Sequence, residues 1–325
     1  MPMKLPLLYR FRGLYLGVAT GEVYLQKQRS TTGQRAKTIP SHGDAPDAPD
    51  APNELNWQQV CQEITQRLIE SPWALPLTEH SPSGDLPEQN QSLLAAVLPM
   101  ALFFHDDLVI LDRQIQQLLQ PTADLELEAG GLVLGRAIAL ICQEQVIPAT
   151  LMPQLLAQID IPHSAIKTGL EQVHRLLRGK ATLMEALHTF APSPVPFDQI
   201  RQPLSLSAQI CLAFYCWMST AAAFNLSLQR SGQYPLSDLS TRLTAALSGA
   251  DNGFAGIPGH WHSAWIAGAD VPGQHWQMPD ALWATWSGCI GANLDPEMNS
   301  RLLQSAVAAP GLLRPRPQQG PFAGI

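Results

Sequence analysis

Apolar positions along this chain recur at helical spacing. In NWQQVCQEITQRLIES, Trp57, Val60, Cys61, Ile64 and Leu68 fall at three- and four-residue steps, which puts them on one face of a helix. Asn56 with Gln59 ahead of that run fits a capping box. DDLVILDRQIQQLLQP opens on acids and stops at Pro121, and LELEAGGLVLGRAIALICQEQ is apolar nearly all round, so it predicts a central helix. HSAIKTGLEQVHRLLRG ends on basic residues and a glycine, the charge order a helix dipole favours. ATLMEALHTFA and LSDLSTRLTAALSG predict two more helices. No alternating β-branched runs joined by Asn-Gly or Asp-Gly suggest a hairpin. The expected class is all-α.

RFRGLYLGVATGEVYL places Gly13, Gly17 and Gly21 every four residues within a helical pattern. Each glycine costs about 1 kcal/mol relative to alanine in a helix. Three on one face therefore predict close approach of another helix or a ligand along that stripe. Two segments are not expected to pack. One is an insertion at about 29–54 containing GDAPDAPDAPNE, and the other is the proline-rich tail at 309–325. Apart from the tail, the pattern reads as one domain over residues 1–308 that contains the insertion.

The 325 residues suffice for a sizeable core, and 46% are apolar while only 14% are charged. A net charge of -7 without a basic stripe excludes nucleic acid as the main partner. Leu204 through Gln229 carries no charge and is long enough to span a bilayer, but Ser205, Ser207, Gln209, Ser219, Thr220 and Asn225 dilute it. A buried helix is the reading preferred, and membrane association is not expected. MPMKLPLLYRFRG does not read as a secretory leader. The five cysteines, without a CxxC, fit reduced thiols and a cytoplasmic location.

Several groups invite chemistry. His105, Asp106 and Asp107 precede a helical pattern, where acids serve a helix N-terminus. His260 and His262 flank Trp261; on a helix they diverge, and in an extended segment they could share a metal ion. Trp276, Trp283 and Trp286 at helical spacing read as core. SGADNGFAGIPG, residues 248–259, reads as a turn between helices in which Asp251 and Asn252 cap the next helix and Pro258 sits near its first turn.

The order of these features resembles the ADP-ribosylglycohydrolase family. Its members open with a segment like R-[FM]-x-G-x-L-x-G-x-A-x-G-D-A-x-G. Here the chain has Arg10-Phe11-Arg12-Gly13 and Leu16-Gly17-Val18-Ala19-Thr20-Gly21-Glu22. QQVCQEITQRLIE resembles the helix after the family's T-D-D-T. QSLLAAVLP, ending at Pro99, resembles its N-G-x-x-x-R-x-x-P segment, and residues 126–145 resemble its alanine-rich central helix. Ala255, Ile257 and Gly259 fall in register with the end of G-G-D-x-D-[TS]-x-A-A-I-A-G. The likeness covers roughly residues 8 to 290.

The resemblance implies a compact orthogonal multi-helix bundle with a cleft for two Mg²⁺ or Mn²⁺ ions that orient ADP-ribose for hydrolysis. It also shows what this chain has changed. T-D-D-T falls on Leu55, Asn56, Trp57 and Gln58, and D-x-D-[TS] on Ala250, Asp251, Asn252 and Gly253. The acid after the third glycine is Glu22, while the family's arginine lands on Ala96 and its asparagine-glycine on Gln91-Ser92. Hard divalent ions need several carboxylate oxygens, so no cofactor is expected. The expected function is a degenerate pseudoenzyme serving as a binding or scaffold protein for an ADP-ribose-like molecule or a protein partner. Gly21, Glu22, Asn56, Asp251, Asn252 and Gly253 would line the ligand cleft. The alternative is an active Mg²⁺- or Mn²⁺-dependent hydrolase of an ADP-ribosyl bond with relocated groups: Glu22 and Asp251 as catalytic candidates, His260 and His262 as metal ligands.

Overall fold

The computed structural model describes residues 6–37, 57–71, 86–158, 164–190, 204–233, 238–262 and 274–288. Among these the chain is helical throughout and has no strand. Helices α1 (Leu7–Lys37), α2 (Trp57–Glu70), α3 (Leu86–Phe103) and α4 (Leu108–Leu119) lead through a 3₁₀ turn (Gln120–Thr122) into α5 (Leu125–Cys142). Then come α6 (Leu151–Gln158), α7 (Ala165–Arg178), α8 (Leu183–Phe190), α9 (Leu206–Ser219), α10 (Phe224–Ser231), α11 (Asp238–Gly256) and α12 (Gln274–Ser287). Helix α1 continues to Lys37, into the stretch where no packing was expected; the Ala-Pro-Asp repeat and the proline-rich tail lie outside the described residues.

The helix starts are built by side chains the sequence supplies locally. Asp107 caps α4 by accepting from the Val109 and Ile110 amides at 3.1 and 3.0 Å, and Asp124 does the same for α5. Such a cap contributes about 1 kcal/mol. At α8 the Thr182 amide and hydroxyl both donate to Glu185, whose own amide donates back to the Thr182 hydroxyl, a reciprocal capping box. The start of α7 is shared. Besides its own Ser164 cap, the Ala165 and Ile166 amides donate to Glu126 of α5 at 2.7 and 3.3 Å.

One helix end departs from expectation. Gly179 keeps right-handed geometry after α7, and Lys180 takes the left-handed position (φ 50°). The Ala181 amide then reaches back to the Leu176 carbonyl at 2.9 Å, a Schellman closure with lysine where glycine is usual.

Helix α5 is the hub of the core. It is buried on almost every side and packs against α3, α4, α7 and α9, as its all-round apolarity requires. The face read on α2 is the buried one: Trp57, Cys61, Ile64 and Leu68, with Thr65. Full burial of each large apolar side chain contributes about 1.5–3 kcal/mol. The uncharged stretch from Leu204 is not one helix. Helix α9 stops at Ser219, and the Thr220 hydroxyl, bonded to the Cys216 carbonyl and 2.9 Å from the Ser227 hydroxyl, seats the turn into α10. At ~1.5 Å per residue α9 is about 21 Å long. Among the described residues no helix is long and apolar enough to cross a membrane.

Candidate functional site

The glycine stripe of α1 lies against α11, which runs antiparallel to it. A Cβ placed on Gly13 would come within 2.2 Å of the Gly249 carbonyl oxygen, and one on Gly17 within 2.2 Å of the Ala245 carbonyl oxygen. From the other side, a Cβ on Gly249 would lie 2.3 Å from the Gly13 oxygen. The two backbones are in direct contact, so of the two possibilities for the stripe the structure supplies a helix. Gly21 continues the contact, with Ala245 and the Arg242 backbone beside it.

Ser248 through Asn252 belong to the body of α11 and not to a turn. The kink comes at Gly253, whose φ of 64° is a left-handed value that glycine adopts without a steric penalty. Asp251 and Asn252 therefore do not cap the following helix. They form the turn of α11 just before its kink at Gly253, and their side chains reach across to α9 and to the turn after it. The Asn252 amide donates to the Ala221 and Ser248 carbonyls at 2.8 and 2.9 Å, and Asp251 Oδ2 accepts from the Trp217 indole N–H at 3.0 Å. Pro258 immediately precedes the helical turn at 259–262.

Each end of this seam carries a charged group set. At one end Glu22 meets Arg242 in a two-pronged ion pair, with Arg242 Nε 3.0 Å from Oε1 and Nη2 3.2 Å from Oε2. Arg242 is buried and Glu22 largely so, at 7% and 14% side-chain exposure. The guanidinium also lies over the Trp57 ring, 5.9 Å from its centroid, and the Trp57 amide at the start of α2 donates to Glu22 at 3.3 Å. One carboxylate thus ties α1, α2 and α11 together.

At the other end, roughly 13 Å along α11 at ~1.5 Å per residue, Arg10 donates through Nη1 to the Asp251 main-chain carbonyl at 3.3 Å. Its Nη2 is 3.8 Å from Glu144, a residue held at φ 57°, and its Nε is buried without a hydrogen-bond partner among the described residues. Burial pushes the Asp251 carboxyl above the usual aspartate range, with the Trp217 N–H and the Arg10 charge pulling the other way. Its place in the last turn of a helix, where the dipole is negative, is also unfavourable to a carboxylate.

The other sequence candidates are placed as follows. His260 lies at the surface against Trp261, and His262 packs on the Phe254 ring at 4.4 Å, so the two rings point to different neighbours. The Trp261 indole donates to Asn225 at 3.0 Å. His105 is buried against Trp286 and Phe11, with Nδ1 2.8 Å from the Leu102 carbonyl oxygen. Trp283 is buried; Asn56, Cys289 and the Trp276 side chain lie outside the described residues. The four described cysteines are buried free thiols, and burial pushes Cys142, Cys211 and Cys216 up to about 12, far from a reactive thiolate.

The residues expected around the resemblance's cleft do not fit a pair of hard divalent ions. Both Glu22 oxygens are engaged by a guanidinium, Ala250 offers no side-chain donor, and Asn252 presents its N–H₂ to carbonyl oxygens. Asp251 stands a helical stretch away on an indole. Among the described residues no three of His, Cys, Asp or Glu converge as a metal site. Two surface hollows, an apolar crevice along Val133, Leu155 and Ile166 and a polar one along Arg113, Gln116 and Gln120, are lined by none of the expected cleft residues.

Sequence reasoning missed Arg242, Arg10 and Trp217. A signal for Arg242 was present: a lone arginine inside the apolar and small-residue run of LSTRLTAALSGA has to find a buried anion. No family model matches the chain, and no curated protein matches it in sequence.

Proposed function

We propose that this chain is a helical binding or scaffold protein resembling the ADP-ribosylglycohydrolases, in which metal-dependent hydrolysis of an ADP-ribosyl bond has been lost. The observation that carries this reading is the engagement of Glu22. The acid that the resemblance keeps after the third glycine is bonded through both oxygens to Arg242 and to the first amide of α2. Gly21, Asp251, Asn252 and Gly253 are likewise spent on contacts between helices. A filled seam favours a protein partner on the outer surface over an ADP-ribose-like molecule between α1 and α11. The acidic balance of the chain argues against nucleic acid, and buried free thiols suit the cytoplasm.

The test is release of ADP-ribose from a peptide modified on arginine or serine, with Mg²⁺, with Mn²⁺ and with chelator. No release under any of the three conditions is the expected outcome. Metal-dependent release would overturn the proposal in favour of an active hydrolase using Glu22, Asp251, His260 and His262. Calorimetric titration with ADP-ribose then separates a retained small-molecule site, which gives saturable heat, from a purely protein-binding role, which gives none.

A further inference from the structure

The chain holds one Asn-Gly pair, Asn252-Gly253, and the structure sets it at the kink where the α1–α11 seam stops. That pair has a chemistry of its own. The main-chain nitrogen after an asparagine is placed to attack the side-chain carbonyl carbon, and a glycine, lacking a Cβ, hinders that attack least. Here the Gly253 nitrogen would bond to Asn252 Cγ while the Cγ–Nδ2 bond breaks, and ammonia would leave with the Gly253 amide proton. Water then opens the cyclic imide at either carbonyl, which gives aspartate or isoaspartate. In the closed structure the ring cannot form. Asn252 keeps helical backbone, and its Nδ2 lies 2.8 Å from the Ala221 carbonyl oxygen, 2.9 Å from the Ser248 carbonyl oxygen and 3.2 Å from the Ser248 hydroxyl. On the other side the Gly253 backbone abuts α1, for a Cβ added to Gly13 would lie 2.8 Å from both Cα and C of Gly253. Ring closure needs rotation about the Asn252 Cα–C bond, and so a parting of α11 from both neighbours.

We propose that Asn252 is a modification site, deamidated by its own main chain while this end of the seam is open and silent while it is closed. The reaction consumes only water and needs no oxidant, metal or second protein. Its product opposes reclosure. A carboxylate in place of the amide loses the donors to Ala221 and Ser248 and sets a negative charge against those carbonyl oxygens, beside Asp251 and at the negative end of a helix. Isoaspartate also adds a methylene to main chain that rests directly on the backbone of α1. Time spent open at the kink is thereby converted into a lasting chemical mark. The event recorded is local, and distinct from unfolding of the whole chain.

The test holds the full chain in mildly alkaline buffer and follows residue 252 by peptide mapping, reading the mass gained when NH₂ is exchanged for OH and the isoaspartate formed. Unfolded in strong urea, the chain should deamidate readily at Asn252. The folded wild type should react more slowly by over about tenfold, since the rate follows the fraction of molecules open at this site. In urea below the unfolding transition that rate should change little, because parting one end of a seam exposes little surface. Gly13→Ala drives a methyl group into the Gly253 backbone and should raise the rate in buffer by about tenfold or more. The proposal is overturned if the folded wild type reacts as fast as the unfolded chain, or if the unfolded chain leaves Asn252 intact. A rate that climbs with urea as steeply as the unfolding equilibrium overturns it too, as does a folded Gly13→Ala that reacts no faster than wild type. Should Gly13→Ala not fold, the urea series decides alone. Asn252→Asp, which makes one product directly, should melt a few degrees below wild type; an unchanged Tm would overturn the claim of a lasting mark.

Discussion

The two ends of the α1–α11 seam pose the same problem and answer it differently. Each buries an acid beside an arginine. At the Glu22 end the arginine faces the carboxylate in fork geometry, and a helix amide adds a further donor. At the Asp251 end the arginine bonds the acid's main-chain oxygen, while the carboxylate is left to an indole N–H at the negative end of a helix. Burial alone therefore does not decide what a carboxylate does. The matched acid is a structural tie, and the mismatched one has its pKa pushed upward by burial and so couples stability to pH.

Breaking the matched end should have the largest effect. Glu22→Gln leaves a buried guanidinium without its counter-charge and should cost about 3–5 kcal/mol, the range for removing one partner of a buried pair. Urea denaturation measures it, and a loss under about 1 kcal/mol would put the pair among exposed, weakly contributing ones. Next comes the seam that both ends share. Gly17→Ala places a methyl group against backbone that no rotamer change can move, so it should cost about 3 kcal/mol, the upper part of the overpacking range. Gly259→Ala, whose added Cβ would meet nothing within 4 Å among the described residues, is the matched control and should change stability by about 0.5 kcal/mol or less.

The mismatched end should respond with opposite sign. Because the folded-state pKa of Asp251 is raised, the folded chain holds its proton more tightly than the unfolded chain does. Its contribution is favourable below the usual aspartate range and is lost as pH rises through the elevated folded value. Asp251→Asn should accordingly stabilise the protein at neutral pH and flatten that part of the profile. A variant whose stability still falls over the same interval would assign the effect to another group. The smallest change is expected from Glu144→Gly, which relieves the left-handed backbone at φ 57° and gives up a long, partly exposed ion pair. A net gain of up to about 1 kcal/mol follows; a net loss would show that the Arg10–Glu144 attraction outweighs the backbone cost.

What the sequence disclosed divides along the same line as the physics. Helix positions, the buried face of α2, the centrality of α5 and the acid start of α4 at Asp107 depend on residues a few places apart, and were legible from spacing. The glycine stripe announced a close neighbour without saying which. Helix α11 was legible as a helix, but its continuation through Asp251 and Asn252 was not. Those two residues and Gly253 make a good local turn signal, and tertiary hydrogen bonds to Trp217 and Ala221 override it. The Glu22–Arg242 pair joins residues 220 apart in sequence, so no local rule could pair them. Likewise, it is Lys180 and not the neighbouring Gly179 that takes the left-handed position after α7, with the Ala181 amide closing the helix on Leu176.

Where Gly13, Gly17 and Gly249 meet, main chain rests on main chain without an intervening rotamer. Side chains ordinarily absorb small displacements by turning about their χ bonds, and here none is available. Mechanically the paired helices behave as one spar. Between the Gly253 kink and the Glu22 end, the contact of these glycines therefore holds no rotamer that could take up a shift of one helix against the other.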